Sequence, residues 1–256
     1  MLKKMFTALA ASVILTLGMS AAHAEETNVP RDAVYRIGGY LDGGHCSSVA
    51  VGPRLVLTAE HCVSSDLTLQ IQKFDSSFKE VGQEHTKLKV VRTNKKYDQA
   101  LFEVLDPTVN LNWIKVCEEE LDNDDFGKPL IAVGYPLVIT KFQTKGSFQG
   151  FMNIDHLLGD TYEPFYLADL PIAGGNSGGG LFKVEGYGTS KENNGPQNCL
   201  QGIATANTYR MGYETMTWFS TLTGIKSTIG GVVMSDDQKT KNLEFKNRIT
   251  NPSDEK

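Results

Sequence analysis

The sequence predicts an all-β protein of two barrels or sandwiches, and three observations predict it. Apolar runs of four to six residues recur between turn residues, and they fall into two groups on either side of an acidic stretch. No long amphipathic helical pattern arises before about Trp218. The chain has 256 residues, 40% hydrophobic and 21% charged, enough for one large β domain or two smaller units. A formal net charge of −5 without a basic block excludes nucleic acid as an expected partner.

Residues 1–24 read as a secretory signal: Lys3 and Lys4, an apolar core over Ala8–Leu17, and Ala22-His23-Ala24 before a cleavage point. That core is too short to span a membrane, and no cysteine follows the cleavage point to carry a lipid. The mature chain is therefore expected to start near Glu25, secreted or periplasmic, without a stable membrane anchor. Glu25–Asp32, polar and containing Pro30, suggests a loose N-terminal strap. Strands are predicted at Ala33–Ile37, Ser48–Val51, Leu55–Thr58, Leu67–Ile71, Leu88–Val91 and Ala100–Leu105. Gly39, Gly43-Gly44, Gly52-Pro53, Asp75–Ser77 and Asn94–Lys96 punctuate them. Glu118–Asp125, six acidic residues in eight, reads as a solvated linker. The second group is Leu130–Val133, Thr140–Phe142, Phe148–Met152, Phe165–Leu167, Gly180–Val184 and Ile203–Ala206. A helix is predicted over about Trp218–Ile229, and residues 234–256 read as a charged, disordered tail.

The four cysteines, Cys46, Cys62, Cys117 and Cys199, are an even number in an exported chain. No C-x-x-C pair occurs, so two disulfides are expected rather than a zinc or redox site, and three pairings are open.

Three segments carry chemistry. Ala173–Phe182 crowds glycines around Ser177. Glycine is costly to order, so such density needs positive φ angles or a close approach. A serine nucleophile needs that surrounding, with its hydroxyl on a tight turn and backbone N–H groups facing the attacked carbonyl. Leu55–Cys62 is an apolar strand ending in His61 beside a cysteine, a place for a general base. Asp98 abuts the apolar run Ala100-Leu101-Phe102, and a carboxylate buried there needs a partner. The competing reading of the first is a flexible Gly/Ser loop, whereas the other two, taken alone, read as an incidental histidine and a turn aspartate.

Together they are specific. Two cysteines with 15 residues between them and Thr-Ala-x-His before the second, then Asp-x-Ala-Leu, then Gly-Asn-Ser-Gly-Gly, resemble the chymotrypsin-like (trypsin-fold) serine peptidases. The order His61, Asp98, Ser177 is that family's order, and the resemblance covers roughly 33–229. It implies two antiparallel six-stranded β-barrels with a short C-terminal helix, about 33–117 and 126–233, with the site in the cleft between them. It implies Ser177 as nucleophile, His61 as base, Asp98 as the group that orients the imidazole, and the N–H groups of Gly175 and Ser177 as an oxyanion hole. It implies a Cys46–Cys62 bridge beside the histidine, and with it Cys117–Cys199 tying the inter-barrel region to the second barrel. It implies endopeptidase activity on protein or peptide substrates through an acyl-enzyme, no cofactor and no metal; a monomer is expected. An α/β-hydrolase elbow is excluded by chain order, because all five histidines precede Ser177. His45, His85 and His156 lack a supporting motif and read as surface residues. The alternatives are a catalytically inactive binding protein on the same scaffold, or an esterase using the same triad.

The chain departs from the pattern in three places. Asn176 precedes Ser177 where trypsin and its close relatives carry an aspartate that pairs with a new N-terminal amine. Only eight residues separate Ile37 from Cys46, which is too short for a strand and an inserting terminus at about 3.5 Å per residue. Activation at Arg36 is therefore not expected. The Gly-Asn-Ser-Gly form is more similar to bacterial glutamyl endopeptidases and HtrA-type proteases, although the stretch after Ile229 is too short for a PDZ module. Glu60 stands beside His61, where it either raises the imidazole pKa or faces solvent. Pro171 stands six residues before Ser177, where trypsin has its selective aspartate. Asp169, Thr205 and Asn207 are the candidate pocket residues, and Glu185–Asn198 is expected to be a surface loop nearby.

Overall fold

The structure is a computed structural model, and it describes residues 30–39, 45–74, 80–138, 140–152, 163–184, 198–207 and 216–230. The signal segment and the tail lie outside them, as do His23, His156 and most of the 185–198 insertion. The first barrel comprises β1 (Val34–Gly39), β2 (His45–Gly52), β3 (Leu55–Thr58), β4 (Leu67–Phe74), β5 (Glu80–Asn94) and β6 (Gln99–Val104). The second comprises β7 (Pro129–Gly134), β8 (Phe142–Met152), β9 (Phe165–Asp169), β10 (Gly180–Val184), β11 (Asn198–Asn207) and β12 (Met216–Ser220). Both barrels close, in the orders β1-β2-β3-β6-β5-β4 and β10-β11-β12-β9-β8-β7, with every pairing antiparallel.

Alternation along the strands decides where the cores form. On β2 and β3, Ala50 and Val56 point into the first barrel, while Val49, Val51, Leu55 and Leu57 point out. Those outward residues meet Ile131, Val133, Phe182 and Ile203 of the second barrel. The result is a third core between the barrels, so β3 is apolar on both faces and all four of its residues are buried. Both disulfides form as Cys46–Cys62 and Cys117–Cys199. The second closes a loop of 82 residues, worth about 4–5 kcal/mol on the chain-entropy model.

Four readings of the sequence are corrected. Trp218–Ser220 belong to β12, and the helix α1 is only Leu222–Ile229, capped by the Thr221 hydroxyl accepting from Gly224 N–H. β12 pairs with β9 and β11, so Trp218 and Phe219 are alternating strand residues. The expected strand Thr140–Phe142 contributes only Phe142, which opens the eleven-residue strand β8 that also holds Phe148–Met152. The acidic linker is only partly solvated, because Leu121 joins the second barrel's core. Asp125 is buried there between Lys128 and Lys183, and its carboxylate also accepts from Asp122 N–H. Glu120 in turn accepts from the Tyr166 hydroxyl and from Thr223. Finally, the described end of the strap is packed: Pro30 and Ala33 are buried, and Lys141 Nζ donates to Arg31 C=O at 2.5 Å. Lys141 also sits over the rings of Tyr35 and Tyr135, 5.6 and 5.7 Å from their centroids.

Arg36 is mid-strand in β1, its guanidinium on Gln70 and Gln83, and Ile37 is fully buried. The Arg36–Ile37 bond is therefore no exposed processing site.

Candidate active site

His61 lies in a 3-10 turn, Glu60–Cys62, directly after β3, and its neighbour Cys62 is bridged to Cys46 at the start of β2. Asp98 ends the turn Lys95–Tyr97 ahead of β6, in the left-handed region at φ 49°. Aspartate tolerates that conformation better than most residues. β3 and β6 are paired, with Thr58 opposite Ala100, so the two chain ends are brought side by side. Asp98 Oδ2 lies 2.8 Å and Oδ1 3.1 Å from His61 Nδ1, and Oδ1 also accepts from His61 N–H at 3.0 Å. A carboxylate only accepts, so Nδ1 carries the proton and Nε2 is left as a base. Asp98 is 5% exposed, whereas the His61 side chain is 47% exposed and open to a substrate. The hydrogen bond to Asp98 raises the imidazole pKa above its ordinary value, partial burial opposes this, and the charges of Asp98 and Glu60 add to the rise. Glu60 thus acts on the histidine by proximity, as the sequence allowed.

Ser177 stands in a turn wedged between the barrels. Its C=O accepts from Ser47 N–H of β2 at 2.7 Å, and Gly178 N–H donates to Ala204 C=O of β11 at 2.8 Å. Gly178 has φ +81°, and a Cβ there would lie under 3 Å from Ser47 O and Thr58 Oγ1 and 3.1 Å from Ala59 N. Ala59 is two residues before His61, so this glycine lets the serine turn close onto the strand end that carries the histidine. Ser177 Oγ makes no hydrogen bond to His61 in this arrangement; contacts of this kind often tighten only with substrate bound.

The loop ahead of Ser177 is held by neutral hydrogen bonds. Gly174 C=O accepts from Leu137 N–H at 2.7 Å, and Gly175 C=O accepts from Ser47 Oγ at 2.8 Å. Ser47 Oγ accepts in turn from Tyr135 N–H at 2.8 Å, and Asn176 C=O accepts from Gly179 N–H at 2.7 Å. In a trans peptide the N–H points opposite the preceding C=O. Gly175 N–H and Ser177 N–H are therefore turned away from these acceptors, and neither donates a hydrogen bond among the described residues. Asn176 is 7% exposed, packed so tightly on Gly134 that a Cβ at 134 would overlap its Oδ1.

A cavity of about 230 Å³ is lined by Pro171, Ile172, Ala173, Asn176, Gly180 and Ala204, and also by Phe142 and Thr144. Asp169 does not line it; it is exposed at the end of β9. Thr205 lies next to Ala204 on β11, its hydroxyl on Ile203 C=O at 3.4 Å, and Asn207 pairs with Thr217. His85 is exposed as expected, but His45 is not a surface residue, because its ring packs on Gly175, 3.0 Å from where a Cβ would stand. Sequence reasoning missed Ser47, which joins Tyr135, Gly175 and Ser177 in one network. The available signal was a polar pair, Ser47-Ser48, directly ahead of the buried apolar run Val49-Ala50-Val51. It also missed Gln99, fully buried, whose amide crosses the seam to Ser220 Oγ at 2.7 Å and Thr221 C=O at 3.3 Å, bracing the residue after Asp98.

Two closed β-barrels with a histidine–aspartate pair on one and a glycine-framed serine turn on the other define a trypsin-like serine peptidase scaffold. The Trypsin-like peptidase domain model matches residues 46–187, more than half of the chain, and the chain belongs to that family. Among curated proteins nothing matches. Solved structures with the same fold include the active form of the Rv3671c protease from M. tuberculosis, 15% identical, TM-score 0.58, covering 81% of this chain and 83% of that one. The MamO protease domain from Magnetospirillum magneticum is 19% identical, TM-score 0.58, covering 78% and 97%. A serine endoprotease from Yersinia pestis is 18% identical, TM-score 0.56, covering 78% of this chain and 62% of that one.

Proposed function

We propose that the protein is an exported serine endopeptidase acting through His61, Asp98 and Ser177. The observation that carries this reading is the two-oxygen grip of Asp98 on His61, which leaves Nε2 as an acceptor. His61 Nε2 takes the proton of Ser177 Oγ as that oxygen attacks the scissile carbonyl. The C–N bond then breaks, His61 passes the proton to the leaving amine, and water hydrolyses the acyl-enzyme by the same route. Gly175 N–H and Ser177 N–H hold the oxyanion, each worth about 3–4 kcal/mol of barrier. The signal-like residues 1–24 and the two disulfides support export.

The test is a fluorophosphonate probe on the purified chain from Glu25, beside Ser177→Ala, with casein and a simple ester as turnover substrates. Labelling lost in the variant, with casein cleaved, is the expected result. A folded, disulfide-intact protein that does not label overturns the enzyme reading in favour of a binding protein. Ester turnover without peptide turnover makes it an esterase.

A further inference from the structure

We propose that His45 is a positioning residue for the loop ahead of Ser177: its imidazole is the wall that keeps Gly175 N–H turned toward the attacked carbonyl. This assignment rests on the serine peptidase reading and adds a residue that lies outside both the triad and the loop itself.

Gly175 needs a wall because it has no side chain to supply one. It stands at φ +95°, and glycine has more torsional freedom than any other residue. The two peptide planes around it are tied by hydrogen bonds. Gly174 C=O accepts from Leu137 N–H at 2.7 Å, and Gly175 C=O accepts from Ser47 Oγ at 2.8 Å. Between those planes, other parts of the chain close the space that a side chain would take. A Cβ on Gly175 would lie under 3 Å from Tyr135 O, 3.0 Å from His45 Nε2 and 3.1 Å from His45 Cδ2. One edge of the imidazole therefore stands where a side chain of residue 175 would make contact, and its Nε2 is buried there.

The ring is carried on a rigid support. His45 opens β2 opposite Gly38 of β1, and the next residue, Cys46, is bridged to Cys62 beside His61. Alternation along a strand sends residues 45 and 47 to the same side. Both meet Gly175, Ser47 at its carbonyl and His45 at the side-chain position. Three consecutive residues of β2 thus serve both halves of the chemistry: His45 and Ser47 hold the oxyanion loop, and Cys46 anchors the turn that carries the base. Without the ring, the space beside Gly175 opens and the peptide ahead of it gains room to rotate. An oxyanion donor works only when aimed at the point where charge develops. The loss therefore falls on the transition state and leaves substrate binding in place.

The experiment compares wild type, His45→Ala, His45→Ser and His45→Phe, each as the chain from Glu25 with both disulfides formed. A fluorogenic peptide copied from the fastest-cut casein site gives kcat and KM. A boronic acid built on the same peptide reads the oxyanion site: Ser177 Oγ adds to boron as its proton passes to His61, and the tetrahedral boron sets a hydroxyl where the oxyanion stands. In the two ring-less variants kcat is expected to fall at least about tenfold and the boronate inhibition constant to rise by a similar factor. KM is expected to stay within about twofold of wild type. His45→Phe, which keeps a flat ring on the same strand, is expected to restore kcat and boronate affinity to near wild type. Urea unfolding midpoints are expected to stay close to wild type throughout. Wild-type kcat and boronate affinity in a ring-less variant overturn the assignment, and so does a rise in KM at unchanged kcat. A His45→Phe protein as slow as His45→Ala overturns it too, as does a kcat that falls only in step with the unfolding midpoint. A folded wild type that fluorophosphonate does not label overturns the peptidase reading, and this assignment with it.

Discussion

Gly178→Ala is the sharpest test of how the two barrels build the site. The residue sits at φ +81°, where an alanine costs about 1–2 kcal/mol. Its Cβ would fall under 3 Å from Ser47 O and Thr58 Oγ1, two atoms that are themselves hydrogen-bonded at 2.7 Å. Relieving that overlap means backing the serine turn away from β2 and β3, an overpacking cost of about 1–3 kcal/mol. It also stretches the 2.7 Å bond from Ser47 N–H to Ser177 C=O, worth about 1 kcal/mol. The sum, about 3–6 kcal/mol, is a large part of the stability of an ordinary domain. With a urea m-value of about 2 kcal/mol/M, the unfolding midpoint falls by about 1.5–3 M. The control is Gly174→Ala, where nothing lies within 4 Å of the added carbon and φ is not positive; its stability is expected within about 0.5 kcal/mol of wild type. Urea unfolding and the fluorophosphonate labelling rate are measured on both. A Gly178→Ala protein with wild-type midpoint and labelling rate refutes the claim that backbone contact at this glycine seats the nucleophile.

Four further outcomes are expected. Asp98→Asn removes the acceptor that sets the His61 tautomer and lowers kcat about 10⁴-fold; a fall of less than tenfold in steady-state turnover would sink that role. Glu60→Gln removes one of the charges that raise the His61 pKa, so the acid limb of the kcat/KM profile moves to lower pH; a limb that stays put shows that solvent screens the pair. Asn176→Asp places a carboxylate beside Gly134 and an apolar cavity, so the variant loses stability at neutral pH and recovers it on acidification, read as urea midpoints at pH 7 and pH 4. Lys141, faced by Tyr35, Tyr135, Arg31 and Asp32, has its pKa pushed down to about 8 by burial. Between about pH 8 and 10.5 the unfolded chain binds the proton that the folded one has lost, so this lysine makes stability rise with pH there, and Lys141→Met removes that rise.

How much of this could be read beforehand depended on whether the signal was local. β3 was legible to the residue because Gly52-Pro53 precedes it and its first three residues are apolar. β5 was seen only at Leu88–Val91, although it runs from Glu80 to Asn94. Its earlier part holds the polar Gln83, Glu84 and His85, which leaves no apolar alternation to detect. The helix was extended too far because Trp218, Leu222, Ile225 and Ile229 fall at helical spacing by coincidence; the first is a strand residue paired with Leu167 and Ala206. His61, Asp98 and Ser177 stood out because each sits in its own short motif. Ser47 did not, since its hydroxyl meets Gly175 across 128 residues, and no local pattern announces such a contact.

The seam between the barrels explains why so little sequence need be shared by proteins of this shape. Structures only 14–19% identical carry the same fold. Here the contacts that seat the serine turn are mostly backbone to backbone: Ser47 N–H to Ser177, Gly178 N–H to Ala204, Leu137 N–H to Gly174. Such bonds are indifferent to side-chain identity but demand that the backbones approach closely. The constraint therefore falls on size at Gly134, Gly175, Gly178 and Gly179, where an added carbon would meet backbone or a buried amide under 3 Å away. It also falls on the few hydroxyls and amides, Ser47, Thr58 and Gln99, that satisfy groups the seam removes from water. Asn176 fits the same logic. In a loop held from both barrels by neutral hydrogen bonds, a buried charge would need a cation that the described neighbourhood does not supply, whereas an amide is accommodated as it stands.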